Sequence, residues 1–424
     1  MASFILLRRL IYPAAVRSCC NWISPAGICS GARRISSSSS AAAPPWLMID
    51  GSKKDSYKFY NLADKQVVSV GKKREEEDGV LVGSSHGWLA FYKENMNPGP
   101  PIFDLFLSNP LSNHEQSLVK LPPVETLPLT EDKLRRGWGT PTKIILSSSP
   151  DNNREACRAI MSFGPELRLA FCCPGRSDDE EWTPIGSLYH KDDPIDRRIA
   201  RGYVDFVYST RRNRLLCATT WGHFESWDLV DPHSPKMNWD KVDREMDCDK
   251  VYEVAEKEPI DLWKYIVFAE RSNRIFLVRR YAVIHIRPDG SSVEEYDDSF
   301  PYKTVDFDVH ELVVEKEGER DQLRYMDGTL DGMAFFIGTG HGFVIEGDDE
   351  LVKHNVEPDS IYFTDMDALC PTPWNRDITT YGGHDLGIFN YRDKKFYPCY
   401  YPCDIQSIQR IDPPPLWFTP SSST

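Results

Sequence analysis

The sequence predicts an all-β fold, a β-propeller of about six or seven blades, and three observations support that prediction. The first is a pattern found near each end of the chain, at residues 80–90 and 335–345. In it, an apolar strand, a Gly-x-x-His-Gly turn and an aromatic-led strand follow one another. The second is a strand-turn-strand unit that recurs at intervals of tens of residues, and the third is the scarcity of helix signals. Units repeated at such intervals are typical of propellers and solenoids.

Residues 1–42 are predicted to be a disordered organellar targeting peptide, which leaves residues 43–420 for the propeller. The segment contains five arginines and no Asp or Glu, and it ends in a serine and alanine run. Such a composition marks organellar presequences, whereas a secretory signal keeps its apolar run free of the arginines found at Arg8 and Arg9. Arg33-Arg34-Ile35-Ser36-Ser37 resembles a mitochondrial processing site. We expect a mitochondrial location; a plastid location and an uncleaved disordered tail are the alternatives.

The charge of the chain restricts the classes of partner. The formal net charge is −14, and removal of the first 42 residues leaves 45 basic and 64 acidic side chains, a net charge of −19. Binding to a phosphate backbone relies on clustered Lys and Arg, so no nucleic-acid partner is expected. An acidic surface favours a protein partner with a basic surface, or simply solubility. No apolar run reaches about 18 residues, so no membrane insertion is expected.

The strands can be placed in order from apolar segments and turn residues. Residues 57–70 are predicted to form a hairpin of two short strands, because apolar residues flank a polar turn. Further strands are predicted at 102–107, 118–121, 143–146, 157–163, 167–172 and 203–208, and a last hairpin at 385–390 and 395–397. A short helix is predicted at 239–245. The charged segments 174–201 and 231–259 are predicted to be surface loops.

A polar turn leading into a buried strand occurs three times in the second half of the chain. The copies are Asn213-Arg214-Leu215-Leu216-Cys217, Asn273-Arg274-Ile275-Phe276-Leu277 and Asp331-Gly332-Met333-Ala334-Phe335-Phe336. Propellers hide their sheet edges by closing into a ring, often by completing one blade with strands from both termini. The Pro- and Trp-rich ends, at 44–48 and 412–418, are candidates for that closure.

The repeated histidines are the most prominent candidates for chemistry. A residue that recurs at the same place in two blades more often fixes a turn, with an imidazole nitrogen satisfying backbone groups. We therefore assign the six residues of the two copies a structural role: Gly83, His86, Gly87, Gly338, His341 and Gly342. Nucleophile elbows, phosphate loops and dinucleotide fingerprints are absent from the sequence. No catalytic residue, cofactor or metal is predicted, although Cys399 and Cys403 have a spacing at which two cysteines can share a metal.

Six segments together resemble one known family. They are Pro44-Pro45-Trp46-Leu47-Met48, Gly83-Ser84-Ser85-His86-Gly87-Trp88-Leu89, Leu107-Ser108-Asn109-Pro110-Leu111, Gly340-His341-Gly342-Phe343, Asp359-Ser360-Ile361-Tyr362-Phe363-Thr364-Asp365 and Pro413-Pro414-Pro415-Leu416-Trp417-Phe418. In order and spacing they are similar to the plant domain-of-unknown-function 295 family, also called the KIB-type β-propeller family. The resemblance covers residues 44–420.

The resemblance implies a β-propeller. Many relatives carry an N-terminal F-box that makes them substrate receptors of SCF ubiquitin ligases. No helical stretch of about forty residues precedes the first hairpin here, so the chain resembles the organellar branch, which lacks the F-box. A SKP1-type adaptor is therefore not an expected partner.

Three functional hypotheses remain open from the sequence. The first is a non-catalytic organellar module that binds a protein partner through loops on a rigid scaffold. The second, by family analogy, is a substrate receptor or regulator of an SCF ubiquitin ligase. The third is a propeller hydrolase acting at the mouth of the central channel.

Overall fold

The computed structural model describes residues 44–50, 55–95, 102–112, 117–130, 133–134, 138–175, 181–187, 201–220, 223–242, 260–283, 286, 301–313, 322–365, 381–403 and 410–421. The targeting peptide predicted for residues 1–42 lies outside the described residues. Within them the chain is built from β-strands, with helix α1 at Asp348–His354.

The strands follow the chain as short segments separated by tight turns. Their bounds are β1 Trp46–Asp50, β2 Ser56–Asn61, β3 Gln66–Gly71, β4 Val80–Ser85, β5 Trp88–Asn95, β6 Ile102–Ser108, β7 Leu118–Lys120, β8 Pro141–Leu146, β9 Ala159–Phe163, β10 Arg168–Cys172, β11 Thr183–Ile185, β12 Tyr203–Ser209, β13 Arg214–Thr219, β14 His223–Asp228, β15 Lys236–Val242, β16 Ile260–Ala269, β17 Arg274–Val283, β18 Lys303–Val313, β19 Gln322–Tyr325, β20 Ala334–Ile337, β21 Phe343–Ile345, β22 Ser360–Phe363, β23 Gly387–Asn390, β24 Lys395–Tyr397 and β25 Leu416–Phe418.

These strands form six sheets, the blades of a β-propeller, which confirms the predicted fold class. Blade 1 has the order β25-β1-β2-β3, blades 2 to 5 are β4 to β7, β8 to β11, β12 to β15 and β16 to β19, and blade 6 has the order β21-β20-β22-β23-β24. The inner strands pack on one another around the axis, β4 against β8, β12 against β16, β16 against β21, and β25 against β4. Blade 6 departs from simple alternation, because β20 and β22 are parallel.

The two ends of the chain close the ring within blade 1. Strand β25 pairs antiparallel with β1, and Trp46 lies opposite Phe418, Leu47 opposite Trp417 and Met48 opposite Leu416. The predicted closure by the two Pro- and Trp-rich ends is therefore confirmed. The edge of β1 is covered by β25, so this edge is not free to pair with another chain.

Within the described residues the apolar core has six large clusters, one at each junction between successive blades, and a small seventh cluster at Ala282 and Tyr302 in blade 5. The six large clusters lie between blades 1 and 2, 2 and 3, 3 and 4, 4 and 5, 5 and 6, and 6 and 1. A middle strand is covered on both faces, which explains why β9 is buried at every position and reads as a continuous apolar run.

The three copies of the polar turn occupy related positions. Asn213, Asn273 and Asp331 all have positive φ, between 50° and 60°, and precede β13, β17 and β20. Asn and Asp tolerate this left-handed conformation better than other residues with side chains. Each turn also binds the next one, since Arg212 donates to the Asn273 side chain at 2.8 Å and Arg274 to Asp331 at 2.8 Å.

Three local predictions are wrong where the structure describes them. Residues 239–242 belong to β15 rather than to a helix, and β11 and β15 lie within the segments 174–201 and 231–259 that were expected to be loops. Residues 176–180, 188–200 and 243–259 of these segments lie outside the described residues. Both strands are outermost in their blades, so solvent faces them and their polar residues obscure the strand signal. The two segments become strands because they pair with β10 and β14, and not because of the strand propensity of their own residues. In the described part of the chain no helix is long and apolar enough to span a membrane.

Candidate functional site

The first Gly-x-x-His-Gly segment is the tight turn between β4, the inner strand of blade 2, and β5. His86 and Gly87 form the turn with φ of 52° and 82°. Two successive positive φ values are typical of the type I′ turns that join hairpin strands. A Cβ on Gly87 would lie 2.5 Å from the backbone nitrogen of Ser421, so the chain after β25 packs directly against this turn. Gly83 lies in β4 itself rather than in the turn.

The second Gly-x-x-His-Gly segment joins β20 to β21 in blade 6. The two strands pair antiparallel, so both copies form hairpins as predicted. Gly338 has φ of 149°, and a Cβ there would overlap the hydroxyl oxygen of Thr364. A Cβ on Gly342 would lie 3.1 Å from Val267 of blade 5. Glycine at these positions allows the loop to pass close to β22 and β16.

The two segments meet at one end of the inner strands, although they are far apart in sequence. The backbone N–H of His341 donates to the Ser84 carbonyl at 3.2 Å. The imidazole rings of His86 and His341 face each other with centroids 5.7 Å apart and planes inclined at 35°. We call this arrangement, formed by residues 84–87 and 338–342, the paired-turn site.

Several polar atoms at the paired-turn site have no hydrogen-bond partner among the described residues. The Nε2 atoms of His86 and His341 are both enclosed and unpartnered, as is the Ser84 hydroxyl. The Leu146 carbonyl accepts a hydrogen bond from the His86 imidazole. Burial lowers the pKa of His86 to about 4. Burial, and then the nearby His86 and Lys143, lower the pKa of His341 well below its ordinary value. Both imidazoles are therefore neutral at pH 7.

A buried ion pair links three inner strands beside this site. Lys143 on β8 donates to Asp205 on β12 at 2.7 Å, and the second oxygen of Asp205 accepts the backbone N–H of Ile266 on β16 at 2.9 Å. Both charged side chains are under 10% exposed. Since each charge has a close partner, the pair holds blades 3, 4 and 5 together rather than presenting a free cation to the channel.

A second polar cluster surrounds Arg280, which is fully buried between blades 5 and 6. Its guanidinium donates to Asp385 at 2.9 Å, to Thr304 at 2.7 Å and to the Thr364 carbonyl at 2.6 Å. Burial alone would lower the pKa of Arg280, but Tyr265 and the carboxylates around it outweigh burial and raise that pKa. The guanidinium therefore remains charged and ties strands of two blades together.

Asp365 and His384 lie at the edge of the same cluster. Tyr302 donates to Asp365 at 2.5 Å, and burial is the main cause that raises the pKa of Asp365. The N–H of Gly382 donates to His384 Nδ1 at 3.2 Å, so Nε2 carries the proton and donates to the Tyr302 carbonyl at 3.0 Å. The adjoining depression encloses about 10 Å³, room for about one water molecule.

Cys399 is buried and Cys403 is partly buried. Burial raises the pKa of Cys399 to about 12 and that of Cys403 to about 11. Across the described ranges, no group of three or more His, Cys, Asp or Glu side chains is arranged to hold a metal ion.

The segments that carry the family resemblance have structural roles. Asn109 donates to Asp151 at 3.2 Å, and Trp88 donates to the same carboxylate oxygen at 3.0 Å, which joins blades 2 and 3. Asp359 is buried and accepts the N–H groups of Leu330 at 2.6 Å and Gly332 at 3.0 Å. These hydrogen bonds lower the pKa of Asp359 although burial opposes them.

Sequence reasoning missed the Lys143–Asp205 and Arg280–Asp385 pairs. The partners are 62 and 105 residues apart, so no local pattern connects them. The detectable signal was a charged residue inside an apolar strand, since such residues are seldom buried unless paired.

The comparisons with known proteins agree with this architecture. A family model described as the KIB1-4 beta-propeller matches residues 59–390. No curated protein sequence matches the chain.

Among solved structures, the chain is similar to the β-propeller domain of Cps50 (Swd1) from Myceliophteria thermophila, with 8% identity over 68% of this chain and 87% of that one, at a TM-score of 0.30. It is similar to the allergen Mala s 1 of Malassezia sympodialis, with 12% identity over 65% and 87% of the two chains, at 0.31. It is also similar to the periplasmic gluconolactonase PpgL of Pseudomonas aeruginosa, with 13% identity over 68% and 82%, at 0.30. Likenesses this distant carry no argument about function.

Proposed function

The chain belongs to the KIB1-4 β-propeller family, and from that premise we propose that it is a non-catalytic module that binds a protein partner with a basic and apolar surface. We propose a mitochondrial location, because the composition of residues 1–42 is that of an organellar presequence. The observation that carries the binding proposal is a group of exposed apolar side chains where blade 6 meets blade 1.

Three apolar side chains form this exposed group, which we call the junction patch. Val352 on α1 is 81% exposed, Tyr400 after β24 is 48% exposed and Val67 on β3 is 45% exposed. Exposed apolar groups that lie together mark interaction surfaces more often than scattered ones do.

Contacts among the supporting elements bring the patch together. The ring of Tyr400 packs on Tyr60 with centroids 5.1 Å apart, and Tyr60 is paired with Val67 across β2 and β3, on the same face of the sheet. Asn355, which ends α1, donates to the Leu62 carbonyl at 3.3 Å, in the turn between the same two strands. The helix that carries Val352 is thus held on the blade 1 hairpin.

Acidic side chains border the patch and suggest the charge of the partner. Asp348, Asp349 and Glu350 form the first turn of α1, one turn before Val352. Opposite charges across an interface speed association and exclude wrong partners, so a basic segment with apolar residues fits this surface.

The proposed lack of catalysis rests on how the buried polar side chains are used. The ionised groups around Arg280, Asp205 and Asp359 bind backbone groups or one another in the interior. A catalytic acid or base has to reach a bound substrate. These groups instead hold blades and turns in place.

The test compares matched surface variants of the tagged full-length protein, expressed in cells from which organelles are fractionated. We expect V352D and Y400S to reduce recovery of a specific partner by on the order of tenfold, since truncating an interface anchor costs more than about 1 kcal/mol. The control is V230D, which alters a valine that is 58% exposed on blade 4.

Several outcomes contradict the proposal. Equal recovery from all variants excludes the junction patch as the binding surface. Turnover of a metabolite by the purified protein refutes the non-catalytic assignment. Recovery of a SKP1-type adaptor supports the ubiquitin-ligase alternative instead.

A further inference from the structure

We propose that the paired-turn site binds one divalent first-row transition-metal ion, such as Zn²⁺, through the Nε2 atoms of His86 and His341. The function proposed above does not require this site, and the site does not depend on that function.

The separation of the rings suits a shared ion. An ion about 2.0–2.1 Å from each Nε2 in tetrahedral geometry places two imidazole centroids about 5–6 Å apart. The observed separation is 5.7 Å. The backbone fixes it, because the His341 N–H binds the Ser84 carbonyl two residues before His86.

The state of the nitrogen atoms also fits a metal ligand. Both Nε2 atoms are enclosed and have no hydrogen-bond partner among the described residues. A buried polar atom without a partner costs free energy, so buried nitrogen atoms of this kind usually bind an ion or a water. The His86 imidazole is also hydrogen-bonded to the Leu146 carbonyl. Metal-binding histidines usually have such a backbone partner on the nitrogen that does not bind the metal.

Two hydroxyl groups near the two turns also lack a partner. The Ser84 hydroxyl is enclosed and unpartnered in the described part of the molecule, and so is the Thr364 hydroxyl next to Gly338. The nearby cation that lowers the pKa of His341 is Lys143. Its charge is balanced by Asp205, whose Oδ1 lies 2.7 Å from the Lys143 Nζ. With two protein nitrogens, the site requires solvent ligands, so we expect weaker binding than at a structural zinc site.

Each histidine residue is partly exposed as a whole, whereas its Nε2 atom is enclosed.

The experiment measures Zn²⁺ binding to tag-free full-length protein by calorimetry, with H86N and H341Q as test variants. Asn at position 86 preserves the turn, because Asn-Gly is the preferred type I′ sequence. H354Q is the control, since His354 lies on α1 with Glu350 as its partner. C403S is a second control that removes a cysteine thiol. Cu²⁺ electron paramagnetic resonance supplies an independent readout, because two bound imidazoles give a characteristic nitrogen coupling.

We expect one Zn²⁺ per wild-type chain, with affinity reduced on the order of tenfold or more in H86N and in H341Q, and unchanged in H354Q and C403S. Absence of one-to-one binding by the wild type, or equal affinity in H86N, overturns the proposal and leaves a bridging water as the occupant of the site. If H341Q fails to fold, as judged by circular dichroism, H86N alone decides.

Discussion

Gly83 shows how closely the inner strands approach one another near the propeller axis. A Cβ at this position would overlap the carbonyl oxygen of Ile144 in the next blade. The overlap is with backbone, which cannot rotate away as a side chain does. Glycine is needed at this position because only a residue without a Cβ lets β4 and β8 approach this closely. The wider range of backbone angles open to glycine is not the reason.

We predict that G83A lowers the free energy of unfolding by about 3 kcal/mol, as overpacking of a filled interior does. Urea-induced unfolding followed by tryptophan fluorescence measures the change. The matched control is G71A, at a glycine whose nearest atom would be 4.0 Å from the new methyl group. Equal stability of the two variants would show that β4 and β8 can separate at little cost.

The paired histidines give the protein a pH dependence with a defined sign. The pKa of His86 is lowered to about 4 in the folded protein, while an unfolded histidine titrates near 6.5. Between these values the unfolded state binds the extra proton, so stability falls as the pH falls.

We therefore expect the wild type to lose stability progressively from about pH 6.5 towards pH 4. H86N is expected to lose less over that range, because asparagine does not titrate. Thermal unfolding at half-unit pH intervals, in the presence of a chelator, measures both proteins. Parallel profiles for the two proteins would mean that other groups cause the acid sensitivity.

At the scale of elements, strands β16, β17 and β18 are the longest among the described residues, and the sequence did not reveal them fully. Their apolar runs are interrupted by charged residues such as Arg279, Arg280 and Asp308, which look like solvent-facing positions. All three are nevertheless buried. These charges can be buried inside a strand because other parts of the chain supply partners for them, and the local sequence does not show those partners.

Elements with a regular pattern of apolar residues were predictable. The hairpin of β2 and β3 alternates between buried and more exposed residues along β2, and the two Gly-x-x-His-Gly hairpins follow from glycine chemistry. The contact between those hairpins was not predictable, because it depends on closure of the ring, which places blade 6 next to blade 1 and its β20–β21 turn against the β4–β5 turn of blade 2. Local periodicity identifies strands, but it does not identify which turns become neighbours.

Removing one partner of the buried ion pair provides a test at this scale. We expect D385A to lower the free energy of unfolding by about 3–5 kcal/mol, because Arg280 would remain buried without its carboxylate. The side chains of the pair are 0% and 6% exposed. The control is K395A, whose side chain is 69% exposed and lies 3.9 Å from Asp393, for which a change within about 0.5 kcal/mol is expected. A small effect of D385A would indicate that water replaces the lost carboxylate.

At the scale of the whole molecule, the three residues of β25 complete blade 1. Leu416, Trp417 and Phe418 are each at most 3% exposed, and Trp417 also donates to the Ile337 carbonyl of blade 6 at 3.2 Å. This short strand therefore contacts three blades, because Phe418 packs in the cluster shared with blade 2.

We predict that a chain ending after Pro415 does not unfold cooperatively and aggregates. Burial of each side chain of this size contributes about 1.5–3 kcal/mol, and the total is comparable with the stability of a typical domain. Differential scanning calorimetry and light scattering provide the measurements. A chain ending after Ser421 is the control and should retain a single sharp transition. A sharp transition for the shorter chain would show that the ring does not need its closing strand.

Closure by β25 also sets the order of events during biogenesis. Blades 2 to 5 are each built from one continuous stretch of chain and can form as that stretch is synthesised. Blade 1 must wait for residues 416–418, so the ring closes only after almost the whole described chain is available. The closed ring joins β1 to β25, the first and last strands, and cannot pass through a narrow translocation pore. Any transport through such a pore has to precede that final pairing.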